Sequence, residues 1–188
     1  MELKGSKTEK NLEVAFAGES QARNKYTYFA EVAKKEGFEQ IAAIFMETAE
    51  NERVHARREF EFLQGIGDTE ANLKAAAEGE HHEWVEMYKE FERVAREEGF
   101  IEIADFFKRV AEIEAQHEKR YLELLEDLQG NKVFKDDKKV VWKCRNCGWI
   151  KEDIEAPNEC PTCKAPQTGF EKPIQYVPYL GYLDTTRF

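Results

Sequence analysis

Proline and cysteine are missing from the first 130 residues of this chain; all 5 prolines and all 4 cysteines come later. Without proline, nothing in that stretch forces a helix to break. Without cysteine, no disulfide or thiolate site can form there. A basic excess is lacking too: 38 acidic residues face 28 Lys and Arg, for a net charge of −10. That balance argues against nucleic-acid or anionic-membrane partners, which need cations to meet phosphates. Long apolar runs are absent, the longest being Ile41 to Met46, far too short to span a bilayer. Met1 to Asn11 holds no apolar h-region, so no secretory signal is expected and the expected location is cytoplasmic. In that setting, cysteines confined to positions 144–163 suggest metal binding before disulfides.

What is present is charge and enough apolar surface for a core. Charged residues make up 35%, hydrophobic residues 41% and aromatics 12%. Composition shifts near residue 130, so residues 1–130 read as a helical bundle domain and residues 131–139 as a polar linker. Residues 140–171 read as a small metal-stapled domain, and residues 172–188 as a tail rich in aromatics (Tyr176, Tyr179, Tyr182, Phe188).

Four helices are expected. The first opens on the capping box Ser6-x-x-Glu9 and runs to about Glu36, where Gly37 suits the left-handed C′ position. The second runs from about Phe38 to Leu63, the third from near Asp68 to Glu98, and the fourth from about Phe100 to Leu128. The turns at Gly37 and Gly99 are so short that each pair must form an antiparallel hairpin. The two hairpins are an internal repeat. Residues 36–58 align with 98–120 at an offset of 62, with 11 of 23 positions identical. Upstream, Gly18-Glu19 matches Gly79-Glu80 at an offset of 61, so one extra residue sits in the third helix between Glu80 and Ala95. A helix usually absorbs such a residue as a π-bulge, and these favour functional sites.

Carboxylates fall on faces that should be apolar. Ile41, Phe45 and Thr48 continue at helical spacing into Glu52, His55 and Glu59; Ile103, Phe107 and Val110 continue into Glu114 and His117. Glu19 shares a stripe with Leu12, Phe16, Tyr26 and Ala33, while Glu80 and Glu83 share one with Trp84, Met87 and Phe91. Five of these glutamates, Glu19, Glu52, Glu80, Glu83 and Glu114, and the two histidines therefore point toward one core at similar heights. Unpaired carboxylates there would cost several kcal/mol or protonate. A di-metal centre resolves the conflict: one Glu from each of two helices, Glu19 and Glu80, joins Glu52-x-x-His55 and Glu114-x-x-His117. Glu83 has no acidic counterpart, since Ala22 stands one turn after Glu19, so it reads as a seventh ligand serving one metal only. His81 and His82 step off the stripe and read as solvated. Tyr26 and Tyr88 read equally as core aromatics or as hydrogen-bond donors to the site.

Cys144-Arg-Asn-Cys147 and Cys160-Pro-Thr-Cys163 form two knuckles 12 residues apart. Four thiolates make a closed tetrahedral site for iron or zinc. With Val141-Trp142-Lys143 before them, Gly148-Trp149-Ile150 between and Lys164-Ala165-Pro166 after, they resemble rubredoxin; a zinc ribbon is the alternative.

The two halves together resemble the rubrerythrin family. The resemblance rests on Gly18-Glu19-Ser20-Gln21-Ala22-Arg23, Glu52-Arg53-Val54-His55, Gly79-Glu80-His81-His82-Glu83 and His117-Glu118-Lys119-Arg120, and covers the chain to about Glu171. It implies a mainly α protein: a ferritin-like four-helix bundle carrying two irons, then a rubredoxin-like domain carrying one. It implies that Glu52 and Glu114 bridge the irons, that Glu19 binds one, and that Glu80 and His117 bind the other. It further implies that Glu83 and His55 exchange on the first iron between redox states, and that Tyr26 and Tyr88 hydrogen-bond the site. The activity implied is reduction of hydrogen peroxide to water, with electrons from an external rubredoxin or its reductase relayed through the cysteine iron. A homodimer, head-to-tail, would pass electrons between subunits. A ferroxidase or iron-storage protein on the same bundle is the rival reading, and structural zinc in both sites is a second.

Overall fold

The computed structural model describes residues 2–172; the aromatic tail residues Tyr176, Tyr179, Tyr182 and Phe188 lie outside them. The described residues divide into two compact units, one ending at Asp68 and the other beginning at Thr69. The helical residues that composition groups together are thus shared between both.

The first unit is a hairpin of α1 (Lys7–Lys35) and α2 (Glu39–Phe62). The Ser6 side chain accepts from the Glu9 amide at 3.1 Å, and the Glu9 carboxylate accepts from the Gly5 amide at 2.6 Å. The box therefore closes one residue upstream of its usual donor, the Ser6 amide. The helices meet along a seam of buried alanines, Ala30 and Ala33 on α1, Ala42, Ala49 and Ala56 on α2. Small side chains let the two backbones approach closely. Aromatic rings fill the remaining space: Phe16 stacks on Phe60 at 4.7 Å, and Tyr26, Phe29 and Phe45 form a second cluster.

The second unit repeats this plan. α3 (Thr69–His82) passes through a π-turn at Glu83–Met87 into α4 (Tyr88–Glu97), and α5 (Ile101–Gln129) folds back along them. The π-turn holds the extra residue that the change of offset from 61 to 62 requires. Tyr88, Phe91 and Phe107 reproduce the Tyr26–Phe29–Phe45 cluster. The turns repeat as well: Gly37 (φ +85°) and Gly99 (φ +86°) take the left-handed position, and the next amide, Phe38 or Phe100, donates to Ala33 or Ala95 at 2.8 Å. Only glycine adopts that φ without strain.

Beyond α5, three antiparallel strands stand in the order β2–β1–β3: β1 (Lys135–Cys144), β2 (Ile150–Glu155) and β3 (Phe170–Glu171). Their core is Trp142, Cys144, Ala156, Cys160 and Phe170. β1 starts inside the stretch 131–139 that its polarity marks as a linker. Lys135 pairs with Glu155, a register shift follows before Val140, and the Ala156 amide donates to Phe134 at 2.8 Å. Backbone pairing, which side-chain polarity does not report, carries the strand that far. Lys172 then donates to Asp127 of α5 at 2.7 Å and to Asp136 of β1 at 3.2 Å.

The connection after α2 is tightly drawn. Leu63, Gln64 and Gly65 amides donate to Glu59, Glu61 and Phe60 carbonyls, and Gln64 is left-handed at φ 56°. A Cβ on Gly65 would collide with the Phe60 ring. Gly65→Ala should therefore displace Phe60 from its stack on Phe16 and destabilise the protein by about 1–3 kcal/mol. Chemical denaturation of the metal-free variant checks this; a midpoint equal to wild type would contradict it.

Candidate metal centres

Helical spacing places three donors together in each unit. In the first, His55 Nδ1 lies 2.9 Å from Glu52 Oε2 and 3.6 Å from Glu19 Oε1. In the second, His117 Nδ1 lies 2.5 Å from Glu114 Oε2 and 3.7 Å from Glu80 Oε1. Within each triad the ligand atoms all fall within 4.8 Å of one another. The triads are near copies because the residues carrying them are the repeat: an i, i+3 pair on the returning helix faces one glutamate on the outgoing helix.

Of the residues singled out by sequence, six thus form two triads. Glu83 opens the π-turn and stands outside the second triad, close enough that its charge acts on Glu80 and Tyr88. Tyr88 and Tyr26 sit in the two aromatic clusters, and Tyr88 is close enough to feel the charges of Glu83, Glu114 and Glu80. His81 and His82 are exposed, against Glu118 at 2.9 Å and Glu86 at 3.3 Å. The stripes expected to form a core are only partly covered: Ile41 and Ile103 are each 48% exposed. Periodicity shows which face is apolar, not what covers it. One contact had no signal in the pattern. Glu118 accepts from Trp84 Nε1 at 2.5 Å and also meets His81, tying the π-turn to α5 beside His117.

Electrostatics in the triads are those of crowded carboxylates. The Glu19 carboxyl is raised above its usual range by a shared hydrogen bond with Glu52, then by burial and the Glu52 charge, while His55 opposes the shift. Glu80 is raised by burial first, then by its hydrogen bond with Glu114 and that group's charge. Burial and the Glu83, Glu114 and Glu80 charges push the Tyr88 phenol up, so its hydroxyl keeps its proton. Two carboxylates and an imidazole around one point are a hard, oxygen-rich donor set with one nitrogen, which suits iron.

The four cysteines converge at the other centre. Cys144 and Cys163 sulfurs are 3.6 Å apart, and Cys147 and Cys160 sulfurs 3.7 Å. A disulfide needs about 2.05 Å, whereas sulfurs at the corners of a tetrahedron with metal–sulfur bonds of about 2.3 Å lie about 3.8 Å apart. The two knuckles close alike: Gly148 donates to Cys144 at 2.8 Å and Lys164 to Cys160 at 3.0 Å. Asn146 and the Ala165 amide lower the Cys163 thiol to about 6. Cys147, although favoured as thiolate by Trp149, is pushed up to about 12 by desolvation and the neighbouring sulfurs. Four sulfurs so close do not all ionise without a cation. Both donor sets fit iron.

Two outcomes follow from these geometries. The raised Glu19 carboxyl means that protonation favours the metal-free fold. That stabilisation is complete below the ordinary carboxylate range and is lost as pH rises through the shifted value. Glu19→Gln holds the neutral form, so the metal-free variant should melt above wild type at pH 7, lose that advantage in acid, and bind bundle metal more than about tenfold more weakly. Equal melting temperatures at pH 7 would contradict the electrostatic account. Changing Cys144 and Cys147 together to Ser should remove one metal and its thiolate absorption, leaving bundle metal in place. Metal analysis showing loss from both centres would contradict their independence.

Comparison with known proteins agrees with this geometry. A family model for rubrerythrin matches residues 10–125, and one for the rubrerythrin rubredoxin-like domain matches residues 142–171. A rubrerythrin of Porphyromonas gingivalis is 52% identical over 182 residues, covering 90% of this chain and 91% of its own. One of Nitratidesulfovibrio vulgaris is 51% identical over 182 residues, covering 90% and 95%. Nigerythrin of that organism is 35% identical over 179 residues, covering 87% and 85%. The chain belongs to the rubrerythrin family, non-haem di-iron oxidoreductases that carry a rubredoxin-like domain.

Proposed function

We propose that this protein is a peroxidase that reduces hydrogen peroxide to water in cytoplasmic oxidative-stress defence, with electrons relayed through its four-cysteine iron. The observation that carries this reading is the presence, in one chain, of carboxylate–histidine triads and a closed four-sulfur site. Reduction of one peroxide takes two electrons and two protons and yields two waters. Two irons held by the triads would supply both electrons and polarise the oxygen substrate. The four-sulfur site offers no open position, so its use is to carry single electrons. Among the described residues no helix is long and apolar enough to cross a membrane.

The chain's own residues divide the remaining work. Glu52 and Glu114 would be shared between the two irons, Glu19 would hold one, and Glu80 and His117 would hold the other. Glu83 and His55 would alternate as ligands of the first iron. Glu83 has the freedom for this because it opens the π-turn, where the helix is locally widened. Tyr88 keeps its proton beside three carboxylates and is a hydroxyl donor to the site; Tyr26 occupies the matching place. The donor is an external rubredoxin or its reductase, and a head-to-tail homodimer carries electrons from one chain's cysteine iron to the other's bundle. A ferroxidase on the same triads leaves the cysteine centre without a role.

Addition of peroxide to the reduced protein without oxygen tests the reading. The expected result is rapid oxidation at two electrons per peroxide. A variant with Cys160 and Cys163 changed to Ser should react once but not turn over with an external reductase. Slow reaction with peroxide but fast oxidation by oxygen would favour the ferroxidase, and absence of colour and reaction would favour zinc.

A further inference from the structure

We propose that the di-iron bundle is completed between two copies of this chain: the α1–α2 hairpin of one copy packs against the helices of the second unit of another, so a dimer holds two composite centres. This rests on the di-iron reading above and adds which chain supplies each half. Each triad holds half of the donor set that a di-metal bundle uses, one Glu and one Glu-x-x-His. Neither half is a complete site alone.

The connection between the hairpins decides the matter. Ferritin-like bundles join their hairpins by one long crossover. The reason is that the second hairpin is inverted with respect to the first, so α2 and α3 run in the same direction. Glu52 lies ten residues before the end of α2 and Glu80 eleven residues after the start of α3, about 15 and 16 Å of helix. Bringing the triads level in one bundle then demands a return of about 31 Å along the axis, plus the 8–10 Å between neighbouring helices. Phe62 to Thr69 is seven Cα steps, at most about 25 Å fully extended. Less than that remains, because Gln64 and Gly65 are hydrogen-bonded back onto the last turn of α2. Gly65 to Thr69 is four steps, about 14 Å. A second copy removes the constraint, since a short connection then joins hairpins belonging to two different bundles.

The surfaces agree with a covering partner. Large apolar side chains are exposed at matching places of the repeat: Phe29 (47%) and Phe91 (42%), Ile41 and Ile103. Such a face on each hairpin calls for a partner of the same kind, and an exchange about a twofold axis supplies it twice. Glu59, one turn beyond His55 on the same stripe, has a buried Oε2 with no hydrogen-bond partner. A buried carboxylate oxygen needs a donor, which the covering hairpin would bring. The alternative is a single chain that closes its own bundle with α2 and α3 antiparallel, which a short connection permits.

Two differently tagged variants separate these arrangements: Glu19→Ala/Glu52→Ala, dead in the first unit, and Glu80→Ala/Glu114→Ala, dead in the second. Unfolded and refolded together, then purified through both tags, the mixed dimer should recover about half of the wild-type bundle iron. Exchange unites one intact first unit with one intact second unit. Each variant alone should hold none. A mixed dimer without bundle iron overturns the exchange, provided wild type refolded alongside regains its iron. A metal-free arm keeps the two readings apart. The melting temperature of metal-free wild type should fall on hundredfold dilution, as it does when folding and association are one process. A concentration-independent melt overturns the exchange even if wild type takes up no bundle iron, a result that would count instead against the di-iron reading.

Discussion

Crowding of like charges on apolar helix faces is the constraint on which the rest depends. Glu52 crowds Glu19 and raises its carboxyl group, Glu114 does the same to Glu80, and one imidazole per pair opposes the shift within the triad. A helix face that mixes phenylalanine with paired glutamate is poorly solved by protein alone. It is solved by a cation of high charge, whose binding free energy then becomes part of folding. The alanine seams serve the same end. They bring the helices of each hairpin close enough for a Glu on one to reach a His on the other.

The repeat is close to symmetric but departs at one place. The π-turn inserts one residue after Glu80, and the inserted register carries Glu83 and Trp84. Trp84 is held to α5 through Glu118, so the widened turn is braced on one side while its carboxylate stays outside the triad. A duplicated hairpin alone would give two equivalent half-centres. The extra residue makes them inequivalent, which is the requirement for a ligand that serves only one metal.

The four-cysteine centre obeys a different logic. Its sulfurs stand on two knuckles that close alike, and Trp142, Phe170 and Ala156 pack behind them. The site is rigid and closed, suited to an electron that arrives and leaves without rearrangement. Each triad offers three donors, two carboxylates and an imidazole in place of sulfur. The two kinds of centre are thus built from different donors.

Much of this was legible before any coordinates. Glu-x-x-His at i, i+3, the glycine turns, the shift of offset from 61 to 62 and the paired Cys-x-x-Cys are local features, and local geometry follows from spacing along a helix or knuckle. Strand β1 beginning at Lys135 was not legible, because its partners lie some twenty residues away in β2 and side-chain polarity there says nothing of backbone pairing. Nor was the Phe60 ring that forbids a side chain on Gly65, the Glu118 contact with Trp84, or the orphaned oxygen of Glu59. The sequence by itself determined which candidate donors the chain carries and which turn of which helix they occupy. Tertiary structure alone decided how close those donors come and which faces stay uncovered, since distance and burial depend on residues far apart in the chain.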